Sequence, residues 1–209
     1  MTQIYLSALQ QLALDLGVRS HVVLPKKMFP KKTKVAKRSV TLEEHRRLCL
    51  NLRSESWSSY LELLWETGAA QGDAATFRIE NLEQDVLTYH RHKTSSRAAL
   101  RLSAKTVRLM VRLTRGRRKG FFLPAIERQE SKDRAAIFAR LCRRNHIEGI
   151  TLHSYRYAWA ERAFQAGMPE RLAMVALGHN SSAIRRVYAK GAAIVAPSLE
   201  TYTKKTPTS

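Results

Sequence analysis

The chain has 209 residues, 44% of them hydrophobic, enough for one well-buried core or one core with a small appendage. It carries 37 Lys and Arg against 17 Asp and Glu, a formal charge of +20, and self-repulsion of that size normally persists only beside a polyanionic partner, nucleic acid first among them. No apolar run is long enough for a membrane span, no single polybasic amphipathic helix suits a membrane surface, and Met1 to Ser20 lacks the pattern of a secretory leader. Cys49 and Cys142 lie far apart in helical patterns, without Cys or His companions at metal-ligand spacing, so buried thiols in a reducing cytoplasm account for them.

Apolar residues from Ile4 to Leu16 recur at three-to-four spacing and predict one amphipathic helix that Gly17 ends. Pro25, Pro30 and the basic run through Arg38 then read as an extended linker, either simply solvated or laid along a nucleic-acid backbone. Thr41 and Glu44 form a capping box for a helix reaching about Leu52. Trp57, Tyr60, Leu61 and Leu64 fall on one face of a second helix closed by Gly68, which makes these aromatics core residues rather than base-stacking platforms.

After Asn81 the period changes to two, so Val86 to Lys93 and Ala98 to Leu102 are expected to pair as a hairpin around Thr94-Ser95-Ser96-Arg97. Ala104 to Arg115 is a helix with Val107, Met110, Val111 and Thr114 at helical spacing and Lys105, Arg108 and Arg112 on another face. Arg117, Arg118 and Lys119 stand in a loop between glycines, placed to touch phosphates or merely solvated. Phe121 to Pro124 reads as a return into the core, and Lys132 to Asn145 as a helix with Ile137, Phe138, Leu141 and Cys142 inward and Arg140, Arg143 and Arg144 outward.

The most informative stretch is Leu152 to Lys190. His153 and Arg156 are three apart, one helical turn; Leu177-Gly178-His179 follows an apolar run; Tyr188 comes nine residues after His179. A guanidinium clamps phosphate oxygens bidentately, an imidazole donates hydrogen bonds or moves protons, and a phenol serves as a covalent nucleophile. Each motif alone has a bland reading, an exposed or capping His/Arg pair and a core tyrosine. In this order and spacing they resemble the C-terminal signature of the tyrosine recombinases, also called phage integrases.

The resemblance implies a mainly α catalytic domain with a small antiparallel β-sheet over residues 39–190, working without metal or high-energy cofactor. It implies double-stranded DNA as partner, a homo-oligomer formed on that DNA, and a cytoplasmic, nucleoid-associated protein of a mobile element. Tyr188 is then the nucleophile that makes a 3′-phosphotyrosyl link. Arg156 holds the phosphate, His153 assists proton transfer from Tyr188, His179 donates to a non-bridging oxygen, and Lys93 serves the leaving 5′ oxygen. Arg117, Arg118, Lys119, Arg185 and Arg186 are expected on the DNA backbone. Residues 1–38 read as an N-terminal helix and basic linker, the remnant of a core-binding domain, in either a fragment or a short relative. Residues 191–209 form a C-terminal tail that docks on a neighbouring protomer or packs in cis.

One position departs from the family pattern. Aligned on Thr67, Gly68 and Asp73, the first catalytic arginine is replaced by Ala70. Losing a positioned donor from such a site typically costs roughly a hundred- to a thousandfold in rate. Ala70 is an engineered knock-out, a natural degeneration, or part of a rewired site in which Gln71 supplies an amide; in each case the resemblance implies that Asp73 braces the site from behind. Arg78 reads as an exposed helix-end residue and no substitute. Three functions follow: a recombinase or integrase slowed by Ala70, a recombinase-like DNA-binding protein that no longer cuts, and a topoisomerase of the related tyrosine class, against which the short chain and the Leu-Gly-His pattern argue.

Overall fold

The computed structural model describes residues 2–23, 38–92, 97–178 and 195–203. The chain divides into two units, Met1–Ala36 and Lys37–Ser209. The first contains helix α1 (Thr2–Asp15), closed where the Gly17 amide, at φ 68°, donates back to the Leu14 carbonyl. Its apolar positions Leu9, Leu12 and Leu16 are exposed, as one helix cannot enclose a core.

The second unit holds α2 (Leu42–Leu50), α3 (Glu55–Thr67), α4 (Gln71–Ala75), a 3-10 turn (Ile79–Asn81), strands β1 (Leu82–Glu83), β2 (Val86–His90) and β3 (Arg97–Arg101), then α5 (Ala104–Thr114), α6 (Pro124–Glu127), α7 (Ser131–Arg144), α8 (Ser154–Gln165), α9 (Glu170–Ala176) and α10 (Glu200–Thr203). It is mainly helical with one small antiparallel sheet, as the resemblance implies, and the strand order is β1-β2-β3. The capping box opening α2 is complete: Thr41 accepts from the Glu44 amide while Glu44 accepts from the Thr41 amide. Arg38, counted with the linker by its sequence, belongs to this unit instead. Its guanidinium forks onto Glu44 at 2.6 and 2.8 Å and onto the Glu148 carbonyl, so it stitches the start of α2 to the turn after α7.

Helix α3 is the centre of the core. The expected face Trp57, Tyr60, Leu61 and Leu64 is buried, but so are Leu63, Trp65 and Thr67, because α2, α4, α5, α6 and α8 pack around it. In α5 the inward line is Thr106, Met110 and Leu113, with Val111 exposed; the predicted face was rotated toward Val111 because Leu113, not Thr114, closes the apolar stripe. In β2 the period-two reading holds, with Leu87 and Tyr89 buried on one face and the register pairing Leu87 with Leu100 and Tyr89 with Ala98. The strand β1 had no sequence signal, being two residues long.

The described part of the tail packs in cis. The Ala196 amide donates to Ala99 and its carbonyl accepts from Arg101, a parallel bridge on the open edge of β3, while Leu199 enters the core. A free sheet edge offers unpaired backbone groups, and this segment covers it.

Beside α3, the buried His45 ring stacks on Trp65 at 4.6 Å and approaches Tyr155 edge-on. Its Nε2 lies 3.6 Å from Glu62, which also pairs with Lys105 at 3.2 Å. These partners, His45 first, lower the Glu62 carboxyl from 4.5 to about 2. A lowered carboxylate stabilises the fold above its unfolded value and loses that contribution as pH falls. The difference in urea stability between the native chain and Glu62→Gln is therefore expected to shrink as pH drops from 4.5 toward 2, and a difference independent of pH would rule this account out.

Gly68 ends α3 at φ 63°, and a Cβ there would sit 2.6 Å from the Trp159 ring. Left-handed strain and the clash together predict that Gly68→Ala lowers stability by about 3 kcal/mol in denaturant unfolding.

Candidate active site

Helix α8 presents Arg156 to the interior, where the residue is only 6% exposed. Two of its N–H groups are held among the described residues: Nη1 donates to the Gly68 carbonyl at 3.2 Å and Nη2 to the Leu177 carbonyl. A guanidinium has five N–H donors, so the rest of its fork is not consumed by those two carbonyls. Burial lowers its pKa, and the neighbouring positive charge of Arg91 lowers it further. Even so lowered, an arginine stays charged at neutral pH.

Arg91 follows β2 directly and continues the inward face of Leu87 and Tyr89. Its side chain is 10% exposed; Nε donates to Asp73 Oδ2 at 3.4 Å and Nη1 donates to the Gly178 carbonyl. The other carboxylate oxygen of Asp73 accepts the His92 amide at 3.0 Å. Asp73 is 3% exposed, in the first turn of α4, where a carboxylate also suits the positive end of the helix. Two guanidiniums therefore hold the consecutive carbonyls Leu177 and Gly178, and a single carboxylate, Asp73, pairs with one of them, Arg91.

His153 stands at the N-cap of α8, exposed, its ring edge-on to Tyr157 at 5.0 Å. Its carbonyl accepts the Arg156 amide at 3.0 Å. Ala70 is the N-cap of α4 and offers no side-chain bond there. Gln71, proposed from the sequence as a replacement donor, directs its amide nitrogen to Ser131 Oγ at 3.0 Å, which commits that group to the start of α7. Arg78 pairs with Glu80 at 2.6 Å and lies over the Phe121 ring, occupied away from this cluster.

The basic loop after α5 needs one correction. Arg118 and Lys119 are exposed, but Arg117 folds back and donates to the carbonyls of Leu113, Thr114 and Phe121, capping α5 instead of facing solvent. Lys93, His179, Arg185, Arg186 and Tyr188 lie outside the described residues. Arg91 was missed in the sequence. The signal available was the alternation Leu87, Tyr89, Arg91, which places a charged residue on the buried side of a strand.

Cys49 also has a companion the sequence reading overlooked: His45, one turn earlier, and Glu62 complete a three-residue cluster. The Cys49 sulfur lies 3.7 Å from His45 Nδ1 and 4.0 Å from Nε2. A metal on either ring nitrogen would hold the sulfur near one nitrogen and well away from the other, so the arrangement is packing. Burial raises the Cys49 thiol to about 12, which disfavours the thiolate a metal needs.

A mainly helical domain with a small three-stranded antiparallel sheet is the architecture of a tyrosine recombinase catalytic domain. Residues 38–193 match the Phage integrase family, and the chain belongs to that family. Its structure is similar to a lambda integrase dimer bound to a COC′ core site, at TM-score 0.65 and 17% identity, over 85% of this chain and 55% of that one. It is also similar to the integrase from mycobacterium phage Brujita, at TM-score 0.60 and 20% identity, over 98% of this chain and 70% of that one. XerA recombinase gives TM-score 0.55 and 17% identity, over 88% and 73%. This chain thus spans little more than half the length of the lambda integrase. No curated protein matches it in sequence.

Removing the Asp73 carboxylate would release both the His92 amide and Arg91. Asp73→Ala is expected to speed hydrogen exchange of the His92 amide by tenfold or more, on the order of the 1.4 kcal/mol or more that a lost charge-assisted bond carries. Unchanged exchange would mean that another group holds the end of β2.

Proposed function

We propose that this chain breaks and rejoins DNA as a tyrosine recombinase or integrase, through a covalent 3′-phosphotyrosyl intermediate. The observation that carries the reading is Arg156, buried and anchored on the carbonyls of Gly68 and Leu177, in a chain whose residues 38–193 match the family. Those carbonyls hold the guanidinium still, so a phosphate meets a donor that needs no reorganisation.

In this reading the Tyr188 oxygen attacks the phosphorus and the bond from phosphorus to the 5′ oxygen breaks. Lys93 supplies the proton that the leaving 5′ oxygen takes up, and His153 assists the proton that leaves the phenol. His179 donates to a non-bridging oxygen. The phosphotyrosyl ester keeps the bond energy, and the 5′ hydroxyl of another strand reverses the step. Solved relatives support DNA as substrate and assembly on it: lambda integrase is described as a dimer on a core site and as a tetramer on a Holliday junction. The charge of +20 favours the same partner, with affinity falling steeply in salt. Among the described residues no helix is long and apolar enough to cross a membrane. We place the protein with the nucleoid on the strength of its substrate.

Ala70 favours a second reading, a recombinase-like protein that binds DNA and no longer cuts. The two are separated with nicked duplexes that lose a short fragment on cleavage and so trap the covalent adduct. The native chain is expected to give an SDS-resistant DNA adduct that Tyr188→Phe abolishes. An adduct formed by Ala70→Arg alone would establish the second reading, and none with either protein would end the first.

A further inference from the structure

We propose that Arg91 supplies the second guanidinium of the phosphate clamp, entering from the end of β2 to do what the side chain missing at Ala70 cannot. The inference deepens the proposed function and rests on it.

Position is the first argument. Ala70 caps α4 and Asp73 lies in its first turn. The N-cap and third positions of a helix are close enough for reciprocal hydrogen bonds. Arg91, held on Asp73 at 3.4 Å, is therefore brought to the turn where the family pattern expects a guanidinium. It arrives from another element, which is why no alignment of the α4 stretch reveals it.

Proximity to Arg156 is the second. Arg91 donates to Gly178 and Arg156 to Leu177, adjacent residues of one chain segment. The next residue in the chain is His179. Gly178 makes this possible: it sits at φ 59°, and any Cβ there would run into Cδ of Arg91.

Charge is the third. Both guanidiniums are nearly buried, Asp73 pairs with Arg91, and no carboxylate pairs with Arg156 among the described residues. A site with surplus positive charge and little water is unfavourable until an anion enters it, and the DNA phosphate supplies that anion. A residue kept only to pair with Asp73 would not need to approach Arg156.

The test uses the full chain and a pool of nicked duplexes of randomised sequence, from which a cleaved sequence is recovered and resynthesised. Arg91→Ala is expected to form adduct about a hundredfold more slowly than the native chain, the cost of one lost donor at a developing anion. Arg91→Lys, which can still pair with Asp73 but lacks the fork, should lose about tenfold while melting like the native chain. Making the scissile phosphate a methylphosphonate removes one of its charges. Cleavage by Arg91→Ala should then recover to within about tenfold of the native rate, which a purely structural loss would not do.

Cleavage by Arg91→Ala within about threefold of native, or a folded variant that the methylphosphonate fails to rescue, overturns the proposal and leaves the proposed function standing. If Arg91→Ala does not fold, native-like cleavage by Arg91→Lys overturns it. An adduct formed by Ala70→Arg but not by the native chain also overturns it. No adduct from either the native chain or Ala70→Arg ends this proposal together with the strand-breaking reading it rests on.

Discussion

The structure depends on how the carboxyl end of α3 is satisfied. A helix leaves its last carbonyls without partners and carries partial negative charge there, and this end is buried under α8. One row of α8 residues, three apart, meets it. Arg162 donates to the Trp65 carbonyl and lies over the Trp65 ring at 3.9 Å, Trp159 donates to Glu66 at 3.0 Å, and Arg156 donates to Gly68 at 3.2 Å. The same contact that closes the core thus fixes Arg156, the arginine proposed above to bind phosphate. Arg162 accepts strong desolvation for this role, its pKa lowered to about 10 by burial. Gly68 belongs to the arrangement twice, since it turns the chain and leaves room for the Trp159 ring.

From that junction the rest of the site is reached through backbone. Arg156 and Arg91 hold Leu177 and Gly178, so the segment carrying His179 and Tyr188 leaves α9 at a restrained point. It returns at Ala196, which is hydrogen-bonded along β3. Just beyond β2 the chain is restrained at the His92 amide by Asp73. Two separate parts of the chain, the exit from α9 and the end of β2, are thereby tied to the ends of α3 and α4, and a third is tied to β3.

The distribution of charge fits the same use. Carboxylates are largely spent on internal partners: Glu44 on Arg38, Glu62 on His45 and Lys105, Asp85 on Arg101, Asp73 on Arg91. Basic residues such as Arg118, Lys119, Arg140, Arg143 and Arg144 stay exposed. Of these pairs Glu44–Arg38 and Asp85–Arg101 are exposed and contribute little to stability, and the basic surplus is better understood as a field that attracts polyanions.

Much of this was legible in the residues alone. The periods of 3.6 and 2, the capping box at Thr41 and the closing Gly68 located α2, α3, β2 and β3, because they rest on backbone geometry that is local in sequence. The spacing of His153, Arg156, His179 and Tyr188 pointed to the family for the same reason. What the sequence could not reveal was which cations turn inward. Arg38 and Arg117 look like free basic residues and are consumed as caps and clamps, while Arg91 looks like part of a solvent hairpin and lies beside Arg156. Whether a guanidinium faces water, a carbonyl or another guanidinium depends on elements distant in the chain, and only the packed tertiary structure brings those together.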